Sequence, residues 1–319
     1  MDGNESATVY VIVLNYNGAE ETLECLKSLK ELNYLNYKVI VVDNCSTDDS
    51  LAKITEWLSD VGFDQRQPGT NEPSLKKFIL IANSENRGYA AGNNVGIRYA
   101  MAQSDFKYVW ILNHDTVIDK ESLGALIERV EVDHKIGLCG SLILNYDKKD
   151  VAQLEAGGRF NPLLGTTKHI GENLRIDKLL NRETVENRIN YISGASVLAT
   201  KNFLNEIGLM DERYFLFYEE VDWALRLRGR FKLGYAPQSI VYHKGSVSYQ
   251  SRETGELADY YMVRNRILIT TKFFPYYLPS VYIGIMFVTL PKRLVSGRYK
   301  KFWRGFRLIL TAGRSKYLA

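Results

Sequence analysis

Short unbroken apolar runs alternate with helical periodicity through the first half of the chain. Thr8 to Leu14 is a β-rich run, after which Leu23, Leu26 and Leu29 recur on one helical face. Val39-Ile40-Val41-Val42 is a second buried strand and ends at Asp43. Ser46 is expected to cap the next helix, with Asp48 and Asp49 in a first turn where the helix dipole favours negative charge. Phe78 to Ala82 reads as a third strand, followed by a Gly-rich loop and a helix near Ala90 to Ala102. Tyr108 to Leu112 is the fourth. Near-continuous apolar strands separated by helices predict an α/β fold with a mostly parallel sheet covered on both faces. Gly62 to Lys77 holds two prolines and reads as a surface insertion.

The second half is less regular. Ile136 to Leu144 reads as a strand, and the polar, charged stretch Asn145 to Asn190 as a mobile connection. Tyr191 to Ala199 is expected as one strand containing Ser193-Gly194-Ala195, Glu219 to Arg228 as a short helix, and Lys232 to Ala236 and Ser239 to His243 as two short strands. Tyr276 to Leu290 is strongly apolar but cut by Pro279. At about 15 residues it falls short of the roughly 20 that a spanning helix needs.

Composition changes the picture at one end of the chain. The overall charge of +4 on 319 residues hides an asymmetry, because no acidic residue follows Asp259. That tail holds 12 of the 41 basic residues and leaves 29 basic against 37 acidic elsewhere, a net of −8. Apolar and aromatic residues beside Lys and Arg suit a helix lying in a membrane interface. The expected organisation is an α/β domain over 1–258 and a helical, membrane-associating segment over 259–319. The three cysteines, Cys25, Cys45 and Cys139, form no CxxC pair, which fits a reducing compartment. The polar start Met1 to Ser6 does not read as a signal peptide.

Candidate chemistry gathers where strands end. Asn15-Tyr16-Asn17-Gly18 follows the first strand and Asp43-Asn44 the second. Asn86-Arg87-Gly88-Tyr89-Ala90-Ala91-Gly92-Asn93-Asn94 follows the third, and Asn113-His114-Asp115 the fourth. Ligands of open α/β sheets bind at that edge. Singly, each cluster is also ordinary turn chemistry. Asp115 either caps the helix starting near Asp119 or holds a divalent cation that holds a diphosphate. Together they make a polar rim suited to a nucleotide. Asp43 could accept from a base N–H, Gly88 and Gly92 could let backbone approach a ligand, and Arg87 could meet a phosphate. Further on, Glu219, Glu220 and Asp222 crowd three carboxylates into four positions, which raises at least one pKa and suits a general base. Asp222 can pair with Arg226 at i,i+4, which leaves Glu220 free. His243 ends a short strand and is a possible metal ligand.

VIVLNYNG, VIVVDNCSTDDS, NRGYAAGNN, WILNHDT, YISGAS, FLFYEEVDWALRLRGR and VYHKGS, in that order, resemble family 2 glycosyltransferases of GT-A fold, nearest to the rhamnosyltransferase-like branch. The resemblance covers roughly residues 8 to 272. It implies an inverting transfer from a nucleoside diphosphate sugar, dTDP-rhamnose or a UDP-sugar, to a hydroxyl of a saccharide or lipid-linked acceptor. It places the family's metal-binding DxD element on Asn113-His114-Asp115, with Asn in place of the first Asp. It implies a divalent cation, Mg2+ or Mn2+, on Asp115 and His243, and a catalytic carboxylate at Glu220 where the family has Asp. Asn15, Asn17, Asp43, Asn44, Arg87, Gly88, Asn93, Asn113 and Gly194 would serve the donor, with Glu219 and Asp222 beside the catalytic group. The expected location is cytoplasmic, peripheral at the inner face of the plasma membrane, with no nucleic-acid partner. The rival readings are a non-catalytic membrane-peripheral binding protein on a transferase scaffold, and a sugar nucleotidyltransferase. The nucleotidyltransferase reading lacks support, because Asn15-Tyr16-Asn17-Gly18 carries no following Arg and Lys.

Overall fold

The computed structural model describes residues 8–227, 229–245 and 252–311. The first half follows the expected alternation: β1 (Thr8–Asn15), α1 (Ala19–Lys30), β2 (Tyr37–Asp43), α2 (Ser50–Val61), β3 (Phe63–Arg66), β4 (Phe78–Ala82), α3 (Tyr89–Met101), β5 (Phe106–Asn113), β6 (Thr116–Ile118) and α4 (Ser122–Val132). Strands β3, β4, β2, β1 and β5 lie side by side in parallel. The unbroken apolar runs have a simple cause, since alternate residues serve two cores. Val9, Val11 and Val13 pack with α1, α2 and α4, while Tyr10, Ile12 and Leu14 pack with α3 and the second half of the chain.

The second half adds β7 (Ile136–Asn145), β8 (Ala152–Glu155), β9 (Gly157–Asn161), β10 (Thr166–His169), α5 (Arg182–Arg188), β11 (Tyr191–Ile192), β12 (Ser196–Thr200), α6 (Lys201–Ile207), α7 (Glu219–Leu225) and β13 (Lys232–His243). Antiparallel β12 inserts between β5 and β7, and β13 runs parallel to β7 and antiparallel to β6. Among the described residues, ten strands form this sheet, and β10, β9 and β11 form a smaller one.

Several expectations need correction. Asn145 to Asn190 is ordered: Leu154, Phe160 and Val185 enter the core, and Asn181 caps α5 by accepting from Thr184 N. Its strands are only four or five residues long, too short to leave a periodic signal. The insertion after Gly62 contributes edge strand β3. Tyr191 to Ala199 is not one strand. β11 pairs with β9 in the small sheet, and the chain turns at Ser193–Ala195 before joining the large one. The two short strands near the end are one, β13, whose register shifts between Ala236 and Ile240, around Pro237. Ser46 caps nothing, because α2 starts only at Ser50. Asp115 is likewise no cap, because α4 starts at Ser122. The end of the expected Glu219 to Arg228 helix, at Arg228, lies outside the described residues.

The tail begins with α8 (Arg252–Phe273), whose Leu268 and Ile269 belong to the main core. The expected boundary at 258 therefore falls inside a helix. A helical run over 275–295 follows. It comprises a 3-10 turn, α9 (Leu278–Gly284), a π turn and α10 (Leu290–Val295), before α11 (Tyr299–Thr311). The run is 21 residues long, sufficient by length and composition to cross a membrane, and so longer than expected. Val281, Ile285 and Leu290 pack on Val263 and Ile267 of α8. Arg314 and Lys316 lie outside the described residues.

A chain of buried hydroxyls fastens the mixed half of the sheet. Trp110 Nε1 donates to Ser196 Oγ at 2.9 Å, and Ser141 Oγ lies 2.7 Å from Ser196 Oγ and 2.8 Å from Ser239 Oγ. Ser196→Ala strands the indole N–H in an apolar core and is expected to cost about 1–3 kcal/mol, read from denaturant unfolding. A neutral result would remove this network from the fold's energetics.

Candidate active site

Registers set the site. Asn15 pairs with Asp43, and Leu14 with Asn113, so three of the polar clusters sit at one level on neighbouring parallel strands. Asn15 Nδ2 donates to Asp43 Oδ2 at 2.7 Å and to Ser46 Oγ at 3.0 Å, while its Oδ1 accepts from Thr22 at 2.9 Å. Asp43 also accepts from Ser46 N at 3.0 Å and Ser46 Oγ at 2.6 Å. Asn17 has a left-handed φ of 52° and accepts from Thr47 N at 2.8 Å. Asn44 is buried and donates to Asn86 Oδ1 and Gly88 O. These side chains tie three βα loops into one rim.

Some candidates have other work. Gly88 has a φ of 90°, and a Cβ there would lie 2.3 Å from Phe215 O, so its bareness serves loop packing rather than a ligand. Gly92 similarly makes room for Leu14. Arg87 is exposed and sits 3.6 Å from Glu85 and 3.1 Å from Glu212, so its charge is already matched. Asn93 is fully buried and donates to Tyr89 O, with its Oδ1 unpartnered.

Pairing of β13 with β6 sets His243 opposite Thr116 and brings its Nε2 to 3.2 Å from Asp115 Oδ1. Gln153 fixes the ring. Its Nε2 donates to His243 O at 2.8 Å, so its Oε1 faces His243 Nδ1 at 2.8 Å and makes Nδ1 the protonated nitrogen. Nε2 then points a lone pair toward Asp115. Burial pushes the Asp115 carboxyl up, but a hydrogen bond and positive charge from His243 when Nε2 also carries a proton, with His114 behind it, outweigh burial and hold it below the usual range. Asn113 Nδ2 lies 3.5 Å from His243 Nε2, and Tyr89 OH lies 3.1 Å from Asn113 Oδ1 and 2.8 Å from Gly194 O.

This donor set suits a divalent cation. At 3.2 Å the two atoms are held together either by a proton on Nε2 or by a metal cation between them. Among the described residues no group of three or more His, Cys, Asp or Glu converges. The remaining coordination would come from phosphate oxygens and water, as is usual for Mg2+ with phosphorylated substrates.

The carboxylate cluster sits behind a strained turn. Phe217 and Tyr218 both take left-handed φ, 68° and 71°, at roughly 1–3 kcal/mol each. Asn265 of α8 holds that turn by donating to Leu216 O and Phe217 O, each at 2.8 Å. Glu219 and Glu220 follow at the start of α7, and Oε2 of each is enclosed without a hydrogen-bond partner among the described residues. Burial pushes the Glu220 carboxyl up to about 7, and burial with Glu220 beside it pushes Glu219 well above its ordinary value. Asp222 differs from both. It binds Arg226 at 2.8 Å and Lys272 at 2.5 Å, which makes it a structural anchor for α7 and α8 rather than a base. Helix α7 packs on β11, and β11 leads directly into the Ser193–Ala195 turn beside Asn113. Helix α7, which carries Glu220, is thus connected through β11 to the turn beside Asn113.

Three contributors escaped the sequence reading. Gln153 lay in the supposed mobile stretch, Tyr89 was quoted within its motif without a role, and Asn265 lay in the supposed tail.

A family model described as glycosyl transferase family 2 matches residues 10–198. The chain belongs to this family. The low-salt glycan biosynthesis hexosyltransferase Agl10 of Haloferax volcanii is 24% identical over 267 residues, 83% of this chain and 76% of that protein. The poly-beta-1,6-N-acetyl-D-glucosamine synthase of Staphylococcus aureus is 24% identical over 227 residues, 71% of this chain and 47% of that protein. The chain therefore spans about half the length of the staphylococcal relative. The mannosyltransferase PcManGT of Pyrobaculum calidifontis, solved with GDP-Man and Mn2+, aligns with TM-score 0.56 at 14% identity, over 99% of this chain and 86% of that one. GalNAc-T7, solved with UDP, GalNAc and Mn2+, aligns with TM-score 0.57 at 14% identity, over 83% of this chain and 51% of that one. The fold is GT-A, and this family 2 member is a glycosyltransferase.

A carboxyl whose pKa rises on folding binds its proton more tightly in the native state. The stability it contributes is complete below its ordinary value of 4.5 and is lost as pH rises through about 7. Denaturant midpoints should therefore fall between about pH 5 and about pH 8, and Glu220→Gln should flatten that slope. Equal slopes in both proteins would refute the raised carboxyl.

Proposed function

We propose that this glycosyltransferase moves a sugar, with inversion, from a nucleoside diphosphate donor to a hydroxyl of a saccharide or lipid-linked acceptor at the cytoplasmic face of a membrane. The observation that carries this is the pairing of two ready groups. A metal-competent Asp115–His243 pair sits at the sheet's ligand edge, and Glu220 presents an enclosed oxygen with no partner.

Asp115 and His243 would hold a divalent cation, which supplies Lewis-acid stabilisation of the departing diphosphate. Asn15, Asn17, Asp43 and Asn44 shape the rim for base and ribose, while Asn113 and Gly194 border the sugar. Glu220 takes the proton of the acceptor hydroxyl as that oxygen bonds to the anomeric carbon. The bond from that carbon to the diphosphate breaks, and its electron pair leaves with the diphosphate. A carboxyl near neutrality is well matched to this proton transfer.

The Mn2+ and nucleotide sugars named in neighbouring structures support a cation and a donor of this class. The glycan-building names of the relatives support surface polysaccharide synthesis. The motif resemblance favours a dTDP-rhamnose donor, with UDP-sugars next. The residues up to 258 carry the chemistry and those from 259 the membrane contact, with α8 bridging the two.

Asp115→Ala and Glu220→Gln should each lower transfer by about 10²-fold or more, and excess chelator should abolish it. Near-full transfer by either variant with the true substrates would overturn these roles. Deletion of residues 276–319 should release the protein from membranes in a fractionation assay, and continued pelleting would refute the tail's part.

A further inference from the structure

A cavity of about 520 Å³ opens between the β9–β10 hairpin, α8 and the helices after it. Arg266, Lys292, Arg293 and Arg298 line it, and Asp259 is the one carboxylate among its lining residues. Asp259 is already paired with Arg293 at 2.9 Å. Arg266 is unusual. It is 8% exposed, donates only to Thr289 Oγ1 and Leu164 O, and leaves its Nε enclosed with no partner. Among the described residues it meets no carboxylate. Burial and the nearby Arg293 both hold its pKa below the ordinary guanidinium value, so the charge sits in unfavourable surroundings. Buried charges are normally paired, and an anion in this cavity would supply the missing partner.

The rim tells which anion. Val288 and Leu164 wall the cavity, and Ile283, Phe287 and Val295 stand exposed on the same helical run. A free anion needs no such surface, whereas a phosphate carrying a long hydrocarbon chain does.

We propose that this cavity binds the phosphate head group of a membrane lipid, with Arg266, Lys292 and Arg298 as its cations and the hydrocarbon chain along the exposed face of α9 and α10. The site rests on the membrane-surface part of the proposed function and is independent of the sugar chemistry. It makes membrane attachment a specific recognition of one head group rather than a general attraction of basic residues.

Gly284 offers a test that leaves charge unchanged. A Cβ there meets only Arg266 Nη2 at 3.7 Å and Leu164 at 3.9 Å, both side chains that line the cavity, so a larger side chain is directed at its lining. The full chain is titrated with phosphatidylcholine vesicles, with and without phosphatidylglycerol, and binding is read by sedimentation. Wild type should prefer the anionic vesicles, and Gly284→Leu should lose about tenfold or more in affinity for them, although it adds apolar surface. Lys300→Ala, outside the cavity, should lose the roughly fivefold expected for one surface charge, and Lys292→Ala, inside it, should lose more. Unchanged binding by Gly284→Leu, or equal losses in the two lysine variants, would overturn the site while leaving general membrane attachment intact. Failure of wild type to bind either vesicle would remove the tail reading as well. Inorganic phosphate is added against chloride at matched ionic strength. If phosphate alone displaces the vesicles, the cavity belongs to a free anion and the lipid assignment falls.

Discussion

Asp115 Oδ1 and His243 Nε2 face each other across 3.2 Å, and neither carries a hydrogen to share when the imidazole is neutral. The sheet enforces this meeting. Strand β13 reaches β6 only because β7 and β12 extend the parallel half beyond β5, and the register sets His243 opposite Thr116. Gln153 then removes the ring's freedom to flip, by holding both its Nδ1 and its carbonyl. A fold that brings an anion against a lone pair gains nothing from the contact itself. The arrangement becomes favourable when a proton or a metal cation sits there, so the stability of this corner is linked to the cation it receives.

A second conflict is resolved at Glu220. The start of α7 presents backbone N–H groups that lower its pKa, an effect of about 0.3–1 kcal/mol near a helix N-terminus. Burial acts the other way and prevails. The burial depends on the turn before it, where two bulky residues take left-handed backbone. That turn is held from both sides: Gly88 lets the α3 loop press against Phe215, and Tyr89 N donates to Phe215 O at 2.7 Å. Asn265 satisfies the carbonyls on the opposite side. Strain, desolvation and proton affinity are therefore coupled through one loop, and α8 is part of the scaffold that holds this carboxylate.

The parallel half was legible because each of its strands is buried on both faces and ends in a polar residue at the same level. Asn15, Asp43 and Asn113 could be placed together on that basis alone. The i,i+4 pairing of Asp222 with Arg226 was legible for the same reason, being a local rule. Features that depend on distant partners were not. Gly88 and Gly92 read as open space for a ligand, but the space is filled by Phe215 and Leu14. Ser46 looked like a cap, yet its hydroxyl serves Asp43, Asn15 and Asn17 across two loops. Four-residue strands such as β8 carry no period, so Gln153 was invisible despite fixing the candidate metal ligand.

The acid-free tail gains a physical reading from where its charges go. Arg293 meets Asp259, Arg304 meets Glu256, and Lys272 meets Asp211 and Asp222. Those carboxylates all lie on α8 or earlier, so the tail docks by using acids it does not itself contain. Arg266 is buried against the same helices without such a partner among the described residues. Solvation cannot explain its position, because water is largely excluded. Packing alone would favour an apolar side chain of similar length, which carries no desolvation penalty. A guanidinium at the base of a cavity flanked by exposed Phe287 and Val288 makes physical sense when the counter-charge arrives from outside, joined to something apolar.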